Sequence, residues 1–254
     1  MDRSGSGRPT ASKGRSKNEK QIFARGLTKC LRHAAGQRGL TVRSDGFVKA
    51  VDVLDLPENR SFIVDDLIEV VENDNKQRFS LLWQPADGGD ERPVSCGEAR
   101  KLLLSGDPTQ LYIRANQGHS MAVVESDELL TPIASADDLK DFCALDASTN
   151  KRIVIHGTYK DNWESIKRQG LSRRTRKHVH FACGLPENKQ VISGMRSSVD
   201  LFIFLDVEKA LAGGLKFFIS DNRVILTEGN ADGFVETKFF WKVIDRKSNE
   251  ELSF

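Results

Sequence analysis

The chain has 254 residues, 39% of them hydrophobic, with 38 basic against 36 acidic side chains. That is enough for one large or two small cores, since domains run to roughly 100 to 200 residues. The near-balance of charge excludes reading a nucleic-acid partner from net charge and leaves that question to local patches. No apolar stretch approaches the roughly 20 residues that cross a bilayer, and the N-terminus lacks the apolar core of a secretory signal. A soluble, intracellular, monomeric protein of the cytoplasm or nucleus is the expectation. Cys30, Cys96, Cys143 and Cys183 form neither a C-x-x-C pair nor a zinc-spaced cluster, so reduced structural thiols are expected. With neither a P-loop nor a G-x-G-x-x-G after a strand, any bound nucleotide must be held some other way.

Residues 1–20 mix Gly, Ser, Pro and Thr with six Lys or Arg and only Asp2 and Glu19 against them, which predicts a disordered basic arm. From Ile22 the pattern is helical. Leu27, Cys30, Leu31 and Ala34 form an apolar stripe, while Arg25, Lys29, Arg32 and His33 form a basic ridge beside it. Asp45-Gly46 marks a turn before Phe47-Val48 and a short helix through Val53-Leu54, and Val64, Leu67, Ile68 and Val71 give another helical stripe. Strands are predicted at Phe79 to Trp83 and Leu111 to Ile113, separated by a surface insertion at 84–110 with one short helix around Glu98 to Leu104. Helices followed by a strand pair predict a winged-helix-like lobe over 21–125. Residues 126–150 lack sustained periodicity and read as a connection between lobes. A strand-dominated lobe follows over 151–245: Ile153-Val154-Ile155 ending at His156, a helix at Asn162 to Gln169 stopped by a left-handed Gly170 cap, then strands at 179–182, 201–205, 215–219 and 224–227. The fold class expected is α+β with two lobes.

Five segments place polar residues where a core would not want them: Leu31-Arg32-His33, Arg114 to Ser120, His156-Gly157-Thr158, His178-Val179-His180 and Ser193-Gly194-Met195-Arg196. Arginine offers phosphate a permanently charged planar fork, and histidine has the side-chain pKa nearest neutrality. Arg32-His33 alone says little, because such a pair is usually solvated decoration. Arg114 to Ser120 sets Arg114, Asn116, Gln117, His119 and Ser120 in one turn-like stretch, where Gly118 would let backbone approach a ligand; a polar hairpin end satisfying its own backbone is the alternative. His178 and His180 share one face of a strand, yet no Asp, Glu or Cys stands at a metal-binding spacing, so stacking or hydrogen bonding is expected rather than a metal. His156-Gly157-Thr158 groups a ring, a bare backbone and a hydroxyl, which suits a ribose and an amide.

In this order, and together with Asp45-Gly46-Phe47-Val48 and Asn222 to Gly229, these segments resemble the tRNA 2'-phosphotransferase family over roughly Gln21 to Phe240. The resemblance implies a winged-helix-like lobe facing RNA, and a C-terminal ADP-ribosyltransferase-type split β-sheet lobe that binds NAD without a Rossmann motif. It implies catalytic roles for Arg32, His33, Arg114 and Arg196, and NAD contacts for His156, Gly157, Thr158, His180, Ser193 and Gly194. Lys29, Arg114, Gln117, His119 and Ser120 are the residues implied to bind the RNA 2'-phosphate. The implied partners are NAD as co-substrate and tRNA with an internal 2'-phosphate, without metal or membrane.

The implied reaction has two steps. The RNA 2'-phosphate attacks the nicotinamide ribose, nicotinamide leaves, and an ADP-ribosylated RNA phosphate forms. The neighbouring ribose hydroxyl then attacks that phosphate, giving 2'-OH tRNA and ADP-ribose 1'',2''-cyclic phosphate, with Arg32, Arg114 and Arg196 stabilising charge and His33 handling a proton. Two other readings stay open: ADP-ribosyl capping of terminal nucleic-acid phosphates, which stops after one step, and a non-catalytic RNA-binding module.

Overall fold

A computed structural model describes residues 15–185, 193–196 and 198–254. The chain forms two compact units, Met1–Ser126 and Asp127–Phe254. In the first, Ser16 and Glu19 make a reciprocal capping box that starts the helix Lys17–Lys29. Residues 17–20, assigned to the basic arm by composition, are therefore helical; 1–14 lie outside the described residues. The helix runs into a π-helical turn, Cys30–Ala34. That wider turn shifts the register, so Leu31 and then Ala35, not Ala34, follow Leu27 into the core.

Helices Ala50–Asp55 and Val64–Glu72 pack with this helix against an antiparallel sheet. Its strands are β1 (Val48–Lys49), β2 (Phe79–Trp83), β3 (Arg92–Val94) and β4 (Leu111–Ala115), in the order β1-β4-β2-β3. Leu27, Leu31, Leu54, Leu67, Ile68, Leu81 and Ile113 fill the shared core. The segment 84–110, expected as a surface excursion, belongs to this fold: β3 pairs with β2, and the helix Cys96–Leu103 buries Ala99. The hydrogen bonds of Ser95 and Glu98 start that helix two residues before the expected position.

The second unit is built on a seven-stranded antiparallel sheet. Its strands are β5 (Thr131–Ile133), β6 (Ile155–Thr158), β8 (Val179–Ala182), β9 (Leu201–Leu205), β10 (Phe217–Ile219), β11 (Val224–Thr227) and β13 (Phe240–Asp245), in the order β13-β9-β6-β8-β11-β10-β5. Strands β7 (Leu171–Ser172) and β12 (Phe234–Val235) make a small separate pair. Helices, strands and antiparallel pairing throughout make the fold α+β. Of the expected connection over 126–150, residues 127–150 are part of this unit: β5 closes one sheet edge, and Leu139 and Cys143 enter the core. A three-residue strand and a 3-10 turn are too short to leave a periodic signal. Strand β6 begins at Ile155, so His156 lies within it rather than at its end. Among the described residues no helix is long and apolar enough to cross a membrane.

Gly170 follows the helix Trp163–Gln169 with φ 88 and ψ −175, which is not the left-handed helical cap expected. Its hydrogen is needed for space, because a Cβ there would come within 2.3 Å of the Val235 carbonyl oxygen. Gly170→Ala, which adds both that clash and positive-φ strain, is expected to destabilise the chain by about 2 to 4 kcal/mol, read as a lower urea midpoint.

Candidate active site

In the first unit the residues from Arg114 to Ser120 leave the end of β4 and pass over the π-helical turn. Asn116 anchors the passage, its backbone N–H donating to the Arg78 carbonyl at 2.8 Å and its side-chain amide to the Gln77 carbonyl at 2.9 Å. Gly118 has φ +85, and a Cβ on it would lie 3.3 Å from Nε of Arg32. Its bareness makes room for the Arg32 side chain, not for the ligand that the sequence suggested. Two residues on, the Ser120 N–H donates to the Arg32 carbonyl at 3.0 Å, and the Ser120 hydroxyl lies 2.9 Å from Nδ1 of His33.

Arg114 is set by the Asp45–Phe47 turn. Its Nη1 donates to the Asp45 carbonyl at 3.2 Å, and its guanidinium stacks 4.7 Å from the centre of the Phe47 ring, a contact worth about 1 kcal/mol. Arg43 braces the turn by donating to both Asp45 carboxylate oxygens, at 3.1 and 2.8 Å. Gly46, at φ +85, comes against His119: a Cβ there would be 3.4 Å from Nε2. The structure thus gathers Arg32, His33, Arg114, Gln117, His119 and Ser120 around one loop and one turn. Nε and Nη2 of Arg32 and Nε of Arg114 are out of contact with solvent, where a charge acts through a weaker screen. Gln117 and His119 are buried and Ser120 is exposed. Lys29 is exposed on the last turn of its helix and, among the described residues, makes no hydrogen bond or ion pair with this group. Asp45 and Phe47 had no catalytic or binding role assigned from sequence; the Asp45-Gly46 turn signal was the one available.

In the second unit the histidines sit in the sheet. His156 Nδ1 donates to the His180 carbonyl at 2.8 Å, and its ring meets Phe181 edge-on at 5.8 Å. Desolvation lowers the His156 pKa against the raising effect of that hydrogen bond, so the ring is neutral and Nε2 keeps its lone pair. His178 is more strongly affected: burial, outweighing the nearby Glu228, lowers its pKa to about 4. It packs edge-on to Phe218, and His180 is also buried. Gly157 is enclosed by protein, since a Cβ there would come within 2.5 Å of Met195. Gly194, at φ +103, lies so close to β8 that a Cβ would meet Ala182 Cα at 2.8 Å. Gly194 therefore seats its own backbone against β8, while Gly157 leaves room on β6 for the Met195 side chain. Ser193 and Thr158 are buried, while Arg196 is exposed. Tyr159, missed from sequence although it follows Thr158 directly, hydrogen-bonds Ser198 at 2.9 Å. Its phenol pKa is lowered by that bond and then by a hydrogen bond from Arg196.

Arginine forks and an imidazole in the first unit can bind an anion and move a proton, and neutral imidazoles in the second can accept from hydroxyl groups. Among the described residues no group of three His, Cys, Asp or Glu is placed to hold a metal ion. The profile of the RNA 2'-phosphotransferase, Tpt1 / KptA family matches residues 17–229, and the chain belongs to that family. It is 40% identical over 218 residues to tRNA 2'-phosphotransferase 1 of Danio rerio, covering 86% of this chain and 82% of the relative. It is 37% identical over 233 residues to tRNA 2'-phosphotransferase 1 of Homo sapiens, covering 91% and 78%. To the tRNA 2'-phosphotransferase of Saccharomyces cerevisiae it is 32% identical over 210 residues, covering 81% and 77%.

The depressed His178 pKa gives a pH dependence of fixed sign. The unfolded chain takes up a proton near 6.5 and the folded one only near 4, so stability present above about 6.5 is lost as the pH falls toward 4. Up to about 3 kcal/mol is at stake in that window. His178→Leu is expected to flatten this part of the stability curve, measured by urea unfolding from pH 7 to 4.

Proposed function

We propose that this chain is a tRNA 2'-phosphotransferase that moves the splice-junction 2'-phosphate of tRNA to NAD. The observation that carries the reading is the common anchoring of Arg32, His33 and Arg114 on the Gln117–Ser120 loop and the Asp45–Phe47 turn. Family membership and the names of the relatives support it. On this reading the first unit is the winged-helix-like, RNA-facing lobe and the second the ADP-ribosyltransferase-type lobe.

The second unit's donor set fits NAD. With Nδ1 of His156 committed to the His180 carbonyl, Nε2 is an acceptor suited to a ribose hydroxyl. His180, Thr158, Ser193 and the backbone at Gly157 and Gly194 complete the group assigned to hold it. NAD supplies an electrophilic ribose carbon with nicotinamide as leaving group and a neighbouring hydroxyl that ends as the phosphate acceptor, so the products are 2'-OH tRNA, nicotinamide and ADP-ribose 1'',2''-cyclic phosphate.

The chain's own residues supply charge, orientation and a proton path. A phosphate monoester is anionic at neutral pH and needs no carboxylate base to act as a nucleophile. Arg32 and Arg114 grip its oxygens with forks fixed by the Gly118 and Asp45–Phe47 contacts, and Arg196 adds a third positive charge as phosphorus becomes crowded with negative oxygen. His33 is oriented through Nδ1 by Ser120, and its imidazole is assigned to exchange a proton with the attacking or departing oxygen. Gln117, His119 and Ser120 shape the loop around the phosphate, and Lys29 adds charge from the helix surface.

Single-turnover reactions with NAD and a 2'-phosphorylated oligoribonucleotide, following nicotinamide release and phosphate loss separately, test this reading. Wild type is expected to produce both. Nicotinamide release with the phosphate retained on RNA would indicate a capping transferase, and neither event would indicate a binding module. Arg114→Ala is expected to slow phosphate loss by about 10²- to 10³-fold and nicotinamide release by much less. Arg114→Lys should not restore the rate, because a point charge does not replace a fork.

A further inference from the structure

The turn between β7 and β8 carries Arg173, Arg174, Thr175, Arg176 and Lys177 in succession. It is internally braced. The Arg173 N–H donates to the Gly233 carbonyl at 3.0 Å, and the Arg176 N–H closes the turn onto the Arg173 carbonyl at 3.1 Å. Arg173 also lies across Gly233, where a Cβ would meet its Nε at 2.4 Å, and its Nη1 donates to the Arg176 carbonyl at 3.4 Å. Arg173 is thus committed to holding the turn, and Arg174, Thr175 and Arg176 are left exposed at its tip.

Two observations make this tip more than solvated decoration. Arg174 has φ 56, a left-handed conformation that costs a residue with a Cβ roughly 1 kcal/mol or more. Glycine would sit there without strain, and the chain has a cation instead. Among the described residues, moreover, no ion pair joins Arg174 or Arg176 to a carboxylate.

We propose that Arg174 and Arg176 grip the phosphodiester backbone of the RNA substrate, away from the 2'-phosphate itself. This rests on the RNA 2'-phosphotransferase reading above. A pyrophosphate is usually held by a cradle of backbone N–H groups, and here those of Arg173, Arg174 and Arg176 are used internally, the second on the Ser172 hydroxyl at 3.1 Å. Long exposed guanidinium side chains on a rigid turn suit instead a row of backbone phosphates, contacts that position a nucleic acid without reading its sequence.

Fluorescence anisotropy with a labelled 2'-phosphorylated oligoribonucleotide across a salt series tests the proposal, comparing wild type with Arg174→Gly and Arg176→Gln. Each substitution is expected to weaken binding several-fold at low salt and to reduce the salt slope by about 0.7. Arg174→Gly should keep or raise the melting temperature, because it removes the positive-φ strain. Affinity for NAD, titrated separately, should not change. Unchanged RNA affinity and slope in both variants, with RNA bound by wild type, would overturn this inference alone. Weakened NAD binding with RNA binding intact would overturn it too, assigning the turn to the dinucleotide. Failure of wild type to bind the RNA would overturn the RNA reading and this inference together.

Discussion

The helix that begins at Lys17 ends on a π-helical turn whose carbonyls need donors, and one donor comes from far along the chain. The Ser120 N–H bonds the Arg32 carbonyl, the missing Cβ of Gly118 leaves the space that the Arg32 side chain occupies, and the Ser120 hydroxyl meets the ring of His33. A helix end left without partners would cost about 1 to 3 kcal/mol per buried group. The contacts that complete the helix are the same ones that aim Arg32 and His33, so stability and the placement of the charged groups cannot be separated here. Arg114 is tied into the same construction from the other side, through the Asp45 carbonyl and the face of Phe47.

The two units use histidine in opposite ways. His33 is half-buried, and a hydroxyl at Nδ1 orients its ring. His156 and His178 lie within or beside a sheet whose β8 and β9 are buried throughout, where burial disfavours the charged ring. On the proposed function this is a division of labour: charge and proton movement for phosphate in one unit, neutral acceptors for ribose in the other.

Much of this was legible in the sequence, and each miss has a physical cause. Helical spacing identified the stripe through Leu27 and Leu31, and the apolar runs at 179–182 and 201–205 identified central strands. The polar segments held residues that the structure does gather, Arg32, His33, Arg114 and Ser120 among them. What could not be read was which partner each special residue meets. Gly118 and Gly157 were seen as places of close approach, yet the approaching groups are Arg32 and Met195 of the same chain. The π turn is invisible to a pattern of threes and fours, because one extra residue in a turn changes Ala34 to Ala35 and nothing else. Residues 126–150 gave no period because their strand is paid out over only three residues, and its place at the sheet edge is fixed by pairing with β10.

The central claim is that Ser120 acts through His33, and a double-mutant cycle on the single-turnover rate of 2'-phosphate loss addresses it directly. Ser120→Ala in the wild-type background is predicted to slow the reaction, while the same change in a His33→Ala background is predicted to cost nothing further, a coupling of about 0.5 to 3 kcal/mol. An equal loss in both backgrounds would contradict the account.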